Sequence, residues 1–494
     1  MNALGLVAGA ATLTINPKMG VSKGGLRLFG APIESIESDI YMSALVLESK
    51  GTSLALLTCD LGMMSNAEGL ALRRAVAEAI DIPVSNVMIN ISHNHSSPSS
   101  VDWQQSSDSP AQMRLMEEYT HYLEERTVEC AINAKKSVQP ARIDAAWGES
   151  NINIYRREWN GSQDILGEVP DHPTDKSVGV IRVDDLDGEA IATLFRYSCH
   201  PVVVGARATA LSADFPGPAR KVIQQSIGGV VLFMQGCGGN LNPQVGIGYE
   251  EDCSDTNFRV GASLGAEALR VALGIRTNKF QGPRVELNKI PNILFKPWQD
   301  RTDHPAIELA SSEELVHFTF GPLPSLEYAE GLVITWTREV ENRSSRDLLP
   351  WEIRAAKKYL AWAQVLVESV KEGNPTREFK VQAFRIGDIA IVGMNTETFF
   401  ETGLEIQSKS PFGDTFVLGY TNGLIMYLPR AEDYPEEGWR IDGKYALPDL
   451  MPPGYCQPVI WNPDSESRAV EACLQALSKL HKPHTKEILN TDID

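Results

Sequence analysis

The sequence holds no run of 18 apolar residues, no CxxC pair, no HExxH and no G-x-G-x-x-G or P-loop lysine. Each absence removes a class of reading. Without a long apolar run, no helix spans a bilayer. Seven cysteines are scattered singly, an odd number with no short spacing. That excludes a disulfide framework and favours a reduced compartment, with the cytoplasm as the expectation. Without HExxH, no single helical turn sets a pair of metal ligands. Positive charge is also scarce: Lys and Arg number 45 against 64 Asp and Glu, a formal charge of −19. A phosphate backbone recruits positive charge, so nucleic acid is excluded as a partner. The same balance argues against stable association with anionic membranes. The apolar start, MNALGLVAGAATLTINP, lacks the basic residues that open a signal sequence. Its ATLTIN alternates as a strand does, so the expectation is a first strand rather than an export signal.

What is present is an ordinary globular balance, 43% hydrophobic and 22% charged over 494 residues, enough for a large core. The expected fold class is α/β, with mixed β-sheets flanked by helices and the functional site in loops at strand ends. We read one catalytic unit over residues 1–494, with a lobe boundary near 280–330, no internal repeat and no low-complexity segment. Tyr41–Leu47 and Ser53–Thr58, joined by ESKGT, form an expected hairpin. Ser65 with Glu68 is a capping box opening a helix to about Ile80. VMINIS reads as a buried strand, and Pro110 begins a long helix to about Lys136. Val178–Val183 and Ala190–Tyr197 form a second hairpin, and Phe379–Met394 a third with Gly387-Asp388 at its turn. VVLFM and Phe416–Tyr420 are further strands. Pro350–Glu372 and Asp464–Leu480 are helices, and Thr277–Pro324 is an excursion of weak periodicity.

Chemistry-bearing residues gather at the ends of these strands. His93 and His95 follow VMINIS; were the strand to reach them, its period of two would put both imidazoles on one face. Imidazole is the commonest protein ligand for zinc and titrates near neutrality. A surface turn with two incidental histidines is the alternative. His200 follows Ala190–Tyr197, Glu397 follows the third hairpin, and Tyr427 lies beyond Phe416–Tyr420. Asp60 ends the second strand of the first hairpin, where α/β sheets place chemistry; a loop anchor is the alternative. Arg156 and Arg157 offer rigid forks for a carboxylate or phosphate, or are a surface charge pair. Cys237 sits on a glycine-rich loop that could supply an oxyanion hole, or is a small buried thiol.

Eight segments, in order, bear on these alternatives: GLVAGAATLTINP, NISHNHSSP, NINIYRRE, YSCHPVVVG, LSADFPG, MQGCGGNLNP, VGMNTETF and GYTNGLIMYLP. Together they resemble the neutral/alkaline, non-lysosomal ceramidase family over almost the whole chain. The resemblance implies a zinc ion held by His93, His200, Glu397 and Tyr427, with His95 as a second active-site histidine that shuttles a proton. It places Arg156 or Arg157 on a substrate-binding arginine. Tyr427 would also help to stabilise an oxyanion, and Asp60 and Asp214 are candidates to orient the histidines. Two departures matter. A serine of the family is Asn242 here, which cannot act as an alkoxide but can hydrogen-bond substrate. A downstream tyrosine is lost near Trp439, which with Tyr434 and the loop Pro448–Cys456 would shape a pocket mouth. The expectation also includes no secretion signal and no C-terminal immunoglobulin-like domain. The function expected is hydrolysis of an amide or related acyl bond of a small soluble substrate by zinc-activated water. Ceramide itself is not expected. The alternatives are an esterase or lactonase on the same site, a Cys237 thiol hydrolase, and a non-catalytic metal-stabilised binding protein. Self-association into a homo-oligomer is left open.

Overall fold

The computed structural model describes residues 5–24, 32–99, 110–161, 164–205, 207–287, 292–346, 348, 350–373, 375–434 and 451–481. Local chemistry sets the first hairpin. Tyr41–Ser49 and Thr52–Cys59 pair antiparallel with Ser49 opposite Thr52. Lys50 and Gly51 both have positive φ, 51° and 79°, the two-residue turn whose twist suits strands. Beyond it, Ser65 and Glu68 cap the helix Asn66–Ala79 reciprocally. The helix then leads to Val87–Ile91, which pairs in parallel with Thr52–Cys59.

That pattern occurs three times. Each unit has three neighbouring strands in antiparallel register, then a helix, then a fourth strand parallel to the third. The first unit uses Val7–Thr14, Tyr41–Ser49, Thr52–Cys59 and Val87–Ile91. The second uses Arg142–Glu149, Ser177–Asp184, Ala190–Tyr197 and Val230–Gln235, with the helix Pro216–Ile227 before the last strand. The third uses Leu309–Thr319, Thr376–Ile386, Ile389–Met394 and Asp414–Leu418, with the helix Phe400–Lys409. A further helix follows each unit: Pro110–Lys136, Ser254–Gly274 and Ser465–Leu480. Gln139–Pro140 adds a short fifth strand to the first sheet.

The alternation of apolar residues explains how the units meet. On Tyr41–Ser49, Leu45 and Leu47 face a core shared by all three sheets, while Met42, Ala44 and Val46 face the helices. Ile181, Val183, Leu194 and Met234 of the second sheet, and Phe384, Ile386, Ile391 and Phe416 of the third, complete that shared core. The opposite sheet faces lie under the helices. The inner strands, such as Tyr41–Ser49 and Ile389–Met394, are buried on both faces, as sheets covered on both sides require. Each fully buried Leu, Ile or Phe contributes about 1.5–3 kcal/mol.

The expected α/β class, with mixed sheets and flanking helices, describes this architecture. Three expectations are corrected. The repeat is real, although the three units share connectivity rather than residues. The excursion Thr277–Pro324 contains the eleven-residue strand Leu309–Thr319, the edge strand of the third sheet. VMINIS ends at Ile91, two residues short of His93. Three helices go beyond the expectations, Ser254–Gly274, Leu326–Ser344 and the short Met451–Tyr455, which occupies part of the expected loop Pro448–Cys456. All seven cysteines are unpaired. Among the described residues, no helix is long and apolar enough to cross a membrane.

Candidate functional site

The units converge through Asn90, in the fourth strand of the first. Its side-chain oxygen accepts from the backbone of Gln235, at the end of the fourth strand of the second unit, at 2.7 Å. Its amide nitrogen donates to the carbonyl of Gly419, just past the fourth strand of the third, at 2.8 Å. The Gly419–Asn422 segment runs beside Val87–Ile91, bonding Ile91 N to Tyr420 O at 3.1 Å and Asn422 N to Ile89 O at 2.7 Å. Loops from the three sheets are thereby brought to one place, and each delivers part of the site.

His93 stands two residues past Ile91 with φ +58°. A bulky residue rarely adopts that conformation, which clusters at functional sites. The turn, not a strand period, brings the two histidines of HxH together: their Nε2 atoms are 3.2 Å apart. Nδ1 of His93 donates to the carbonyl of Gly62 at 2.7 Å. Nδ1 of His200 donates to the carbonyl of Gly238 at 2.6 Å. A carbonyl can only accept, so both rings carry a proton on Nδ1 and turn Nε2 toward the site.

Both Nε2 atoms face one carboxylate. Nε2 of His93 lies 3.2 Å from Glu397 Oε1, and Nε2 of His200 lies 3.0 Å from Oε2. All three side chains are buried. Burial, then the charge of Arg156, lowers the His200 pKa to about 4, so at neutral pH that ring is uncharged. Burial opposes the charge on Glu397, but His93 and His200 outweigh it and hold the carboxyl well below the usual carboxylate range. Two imidazole nitrogens thus converge on one buried carboxylate across hydrogen-bond distance. Such a convergence holds either shared protons or one cation bound by all three groups.

The donor set fits a metal ion on this ground. His93, His95 and His200 offer ligand atoms within 4.8 Å of one another, and Glu397 Oε1 is a buried atom with no hydrogen-bond partner. Two of the rings have the backbone-held Nδ1 typical of ligating histidines. His95 differs: its Nδ1 is buried without a partner. Burial, then His93 and His200, lowers its pKa well below the ordinary value, which leaves it a neutral base.

Tyr427 pairs directly with Glu397 in a short parallel ladder, which sets the phenol beside the carboxylate. Burial raises its pKa, against the lowering effect of Arg156. Arg156 donates to the Tyr427 hydroxyl at 2.6 Å, to Asn242 Oδ1 at 3.0 Å and to the Gly239 carbonyl at 2.8 Å. A register shift between Tyr155 and Arg157 separates the two arginines: Arg156 is buried at the site, and Arg157 is half-buried.

Asp60 and Asp214 do not orient the histidines. Asp60 accepts a two-pronged bond from Arg220, at 2.8 and 2.5 Å, and one from the backbone of Tyr41. Asp214 accepts from the backbone of Val204 and Phe215. Backbone carbonyls do the orienting instead. Cys237 is buried against the helix at Gly403, and burial pushes its thiol up to about 12, opposite to what a nucleophile needs. Trp439 lies outside the described residues. Of the expected pocket mouth, Tyr455 stands edge-on to Tyr427 with ring centroids 5.5 Å apart. Sequence reasoning missed Tyr420. Its ring stacks on His93 at 4.7 Å and 23°, and its hydroxyl lies 3.5 Å from Glu397 Oε2. The signal was the strand end itself, since Tyr420 follows Leu418 as His93 follows Ile91.

No family model matches the sequence, and no curated protein matches it. Solved structures do. The neutral ceramidase from Pseudomonas aeruginosa aligns with a TM-score of 0.65 and 16% identity, over 97% of this chain and 74% of that one. The fold is that of the neutral ceramidases. A ceramidase complexed with C2 aligns with a TM-score of 0.63, also at 16% identity, over 97% of this chain and 75% of its own. The neutral-ceramidase fold therefore accounts for nearly the whole chain, and at this identity it speaks for architecture rather than substrate.

Proposed function

We propose that the chain is a metal-dependent hydrolase of an amide or related acyl bond in a small, soluble substrate. One observation carries the proposal: His93 and His200, each held at Nδ1 by a backbone carbonyl, both turn Nε2 toward the buried Glu397 carboxylate. His93, His200, Glu397 and Tyr427 would hold the metal, zinc by the nature of a nitrogen- and oxygen-donor set. A bound zinc supplies Lewis acidity, which polarises an acyl carbonyl and makes water acidic near neutral pH.

The chain's own residues then have separable tasks. His95 is neutral, and its Nδ1 is uncommitted, so it can take a proton from water and return it to the leaving nitrogen or oxygen. Arg156 donates to the Tyr427 hydroxyl, which fixes that oxygen and places positive charge where an oxyanion would form. Asn242 is locked by Arg156 through its oxygen, leaving its amide hydrogens to offer to substrate. Trp439 remains a proposed substrate contact. The acidic surface and the amide side chain at position 242 favour a small soluble amide over ceramide. An ester or lactone would meet the same groups.

Elemental analysis of the purified protein tests the core of this reading. About one zinc per chain, lost in His200→Ala, is expected. A panel of N-acyl amides, lactones and esters then separates amidase from esterase. Metal in the wild type with no turnover across the panel would favour a metal-stabilised binding protein. No metal after purification without chelator would overturn the proposal.

A further inference from the structure

Between the second and third units, Lys279–Gln281 pairs with Trp298–Asp300, and Val285–Leu287 pairs with Ile293–Phe295. These two ladders are the lower and upper halves of one bent β-arm. The prolines 283 and 297 interrupt it, and a bond from Gly282 N to Pro297 O at 2.8 Å joins the halves. The base is fixed: Arg142 donates to the carbonyls of Arg301 and Asp303, and Asn278 donates to Asp187 O. Among the described residues, both ladders are two-stranded, so each edge is unpaired.

The arm is set apart by a cluster of exposed apolar side chains and by the sign of its charge. Phe280, Val285, Ile293, Leu294, Phe295 and Trp298 are each 41–46% exposed. Val285 and Phe295 are directly opposite in register and share one face. From Arg276 to Arg301 there are six basic residues and two acidic ones, a local charge of +4. The formal charge of the whole chain is −19, so everything outside the arm carries −23. An isolated two-stranded hairpin is marginal in water, and contiguous exposed apolar surface marks an interaction site.

We infer that the arm is a docking element for a second copy of this chain. Its basic, apolar surface complements the acidic body of that copy, and its open edges can be paired by backbone of the partner. A lipid surface fits less well. Unpaired strand edges would lose their hydrogen bonds in hydrocarbon, and the acidic body would be repelled by anionic headgroups. Reciprocal docking of two arms gives a closed twofold dimer, the commonest soluble assembly.

Light scattering coupled to size exclusion, on the full chain at micromolar concentration, tests this. The expected mass is twice the 54.3 kDa of one chain. Phe295→Glu is expected to give a monomer with unchanged far-UV circular dichroism. Lys296→Glu, which keeps the apolar face, is expected to weaken the dimer at least tenfold, and 0.5 M NaCl should also weaken it. A monomeric wild type overturns the inference, whether or not it floats with phosphatidylserine vesicles. So does a dimer that survives both substitutions.

Discussion

His93 and Tyr420 occupy the same place in two different structural units. Each stands two residues beyond a fourth strand, which ends at Ile91 in one unit and Leu418 in the other. Both have left-handed backbone, φ +58° and +50°, and their rings stack 4.7 Å apart. The repeated fold thus sets two strained residues face to face, one a candidate ligand and the other touching a second candidate ligand, Glu397.

Tyr420 should therefore act through its neighbours. Tyr420→Phe keeps the stack and removes the hydroxyl beside Glu397, and metal affinity should fall by about 10-fold, as for other groups that orient ligands. Tyr420→Ala also empties a buried ring site and should cost about 3–5 kcal/mol. Competition with a chromogenic chelator reads the first effect, and urea denaturation the second. Unchanged affinity in Tyr420→Phe would reduce the residue to packing.

His95 and His200 should separate metal binding from turnover. His95→Ala is expected to keep nearly stoichiometric zinc while hydrolysis falls by about 10²-fold or more, the usual worth of a positioned proton carrier. His200→Ala should lose both. Metal loss from His95→Ala equal to that from His200→Ala would make His95 a ligand.

Asn90 ties the three fourth strands together, so its removal should be felt across the molecule. Asn90→Leu leaves the backbone of Gln235 and Gly419 without those partners. A buried, unmatched polar group costs about 1–3 kcal/mol. Two such groups, plus a poorly fitting side chain, should lower the urea midpoint clearly and weaken metal binding. A variant with wild-type stability would show that the shared core holds the sheets without this joint.

Arg156 should not tolerate lysine. Its fork reaches Asn242, Gly239 and the Tyr427 hydroxyl at once, which a single ammonium cannot reproduce. With zinc retained in Arg156→Lys, kcat/KM should fall by about 10-fold or more. Equal activity would place the guanidinium outside the reaction.

Metal-free protein should weaken as pH falls. The folded-state pKa of His200 is about 4, against an ordinary 6.5. Between those values the unfolded chain binds a proton that the folded chain refuses, so stability falls with pH by ~3 kcal/mol across the window. Glu397, depressed by its histidines, adds a loss of the same sign below about pH 4.5. Urea midpoints of chelator-treated protein from pH 7.5 to 5 check the first part. A flat profile would mean that His200 is charged in the metal-free fold.

The sequence by itself determined the local elements and the ingredients of the site. The turn at Lys50-Gly51, the Ser65–Glu68 cap and the apolar alternation of the hairpins are short-range matters, settled by backbone sterics and side-chain period. The residue types offered imidazole and carboxylate at strand ends, and the resemblance of eight ordered segments assigned them to a metal site. Tertiary structure decided the rest. The threefold pattern was invisible because the units share strand order, which is held by backbone pairing, while their side chains differ. Arg156 was separated from Arg157 by a bulge, and no spacing rule predicts which neighbour a bulge turns inward. Asp60 and Asp214 were drawn to Arg220 and to loop backbone, because a buried carboxylate takes the nearest strong donor. His93, Tyr420 and Glu397 meet because loops from separate sheets are fastened through Asn90. That meeting is a long-range fact, fixed by how three sheets share one core rather than by any single stretch of chain.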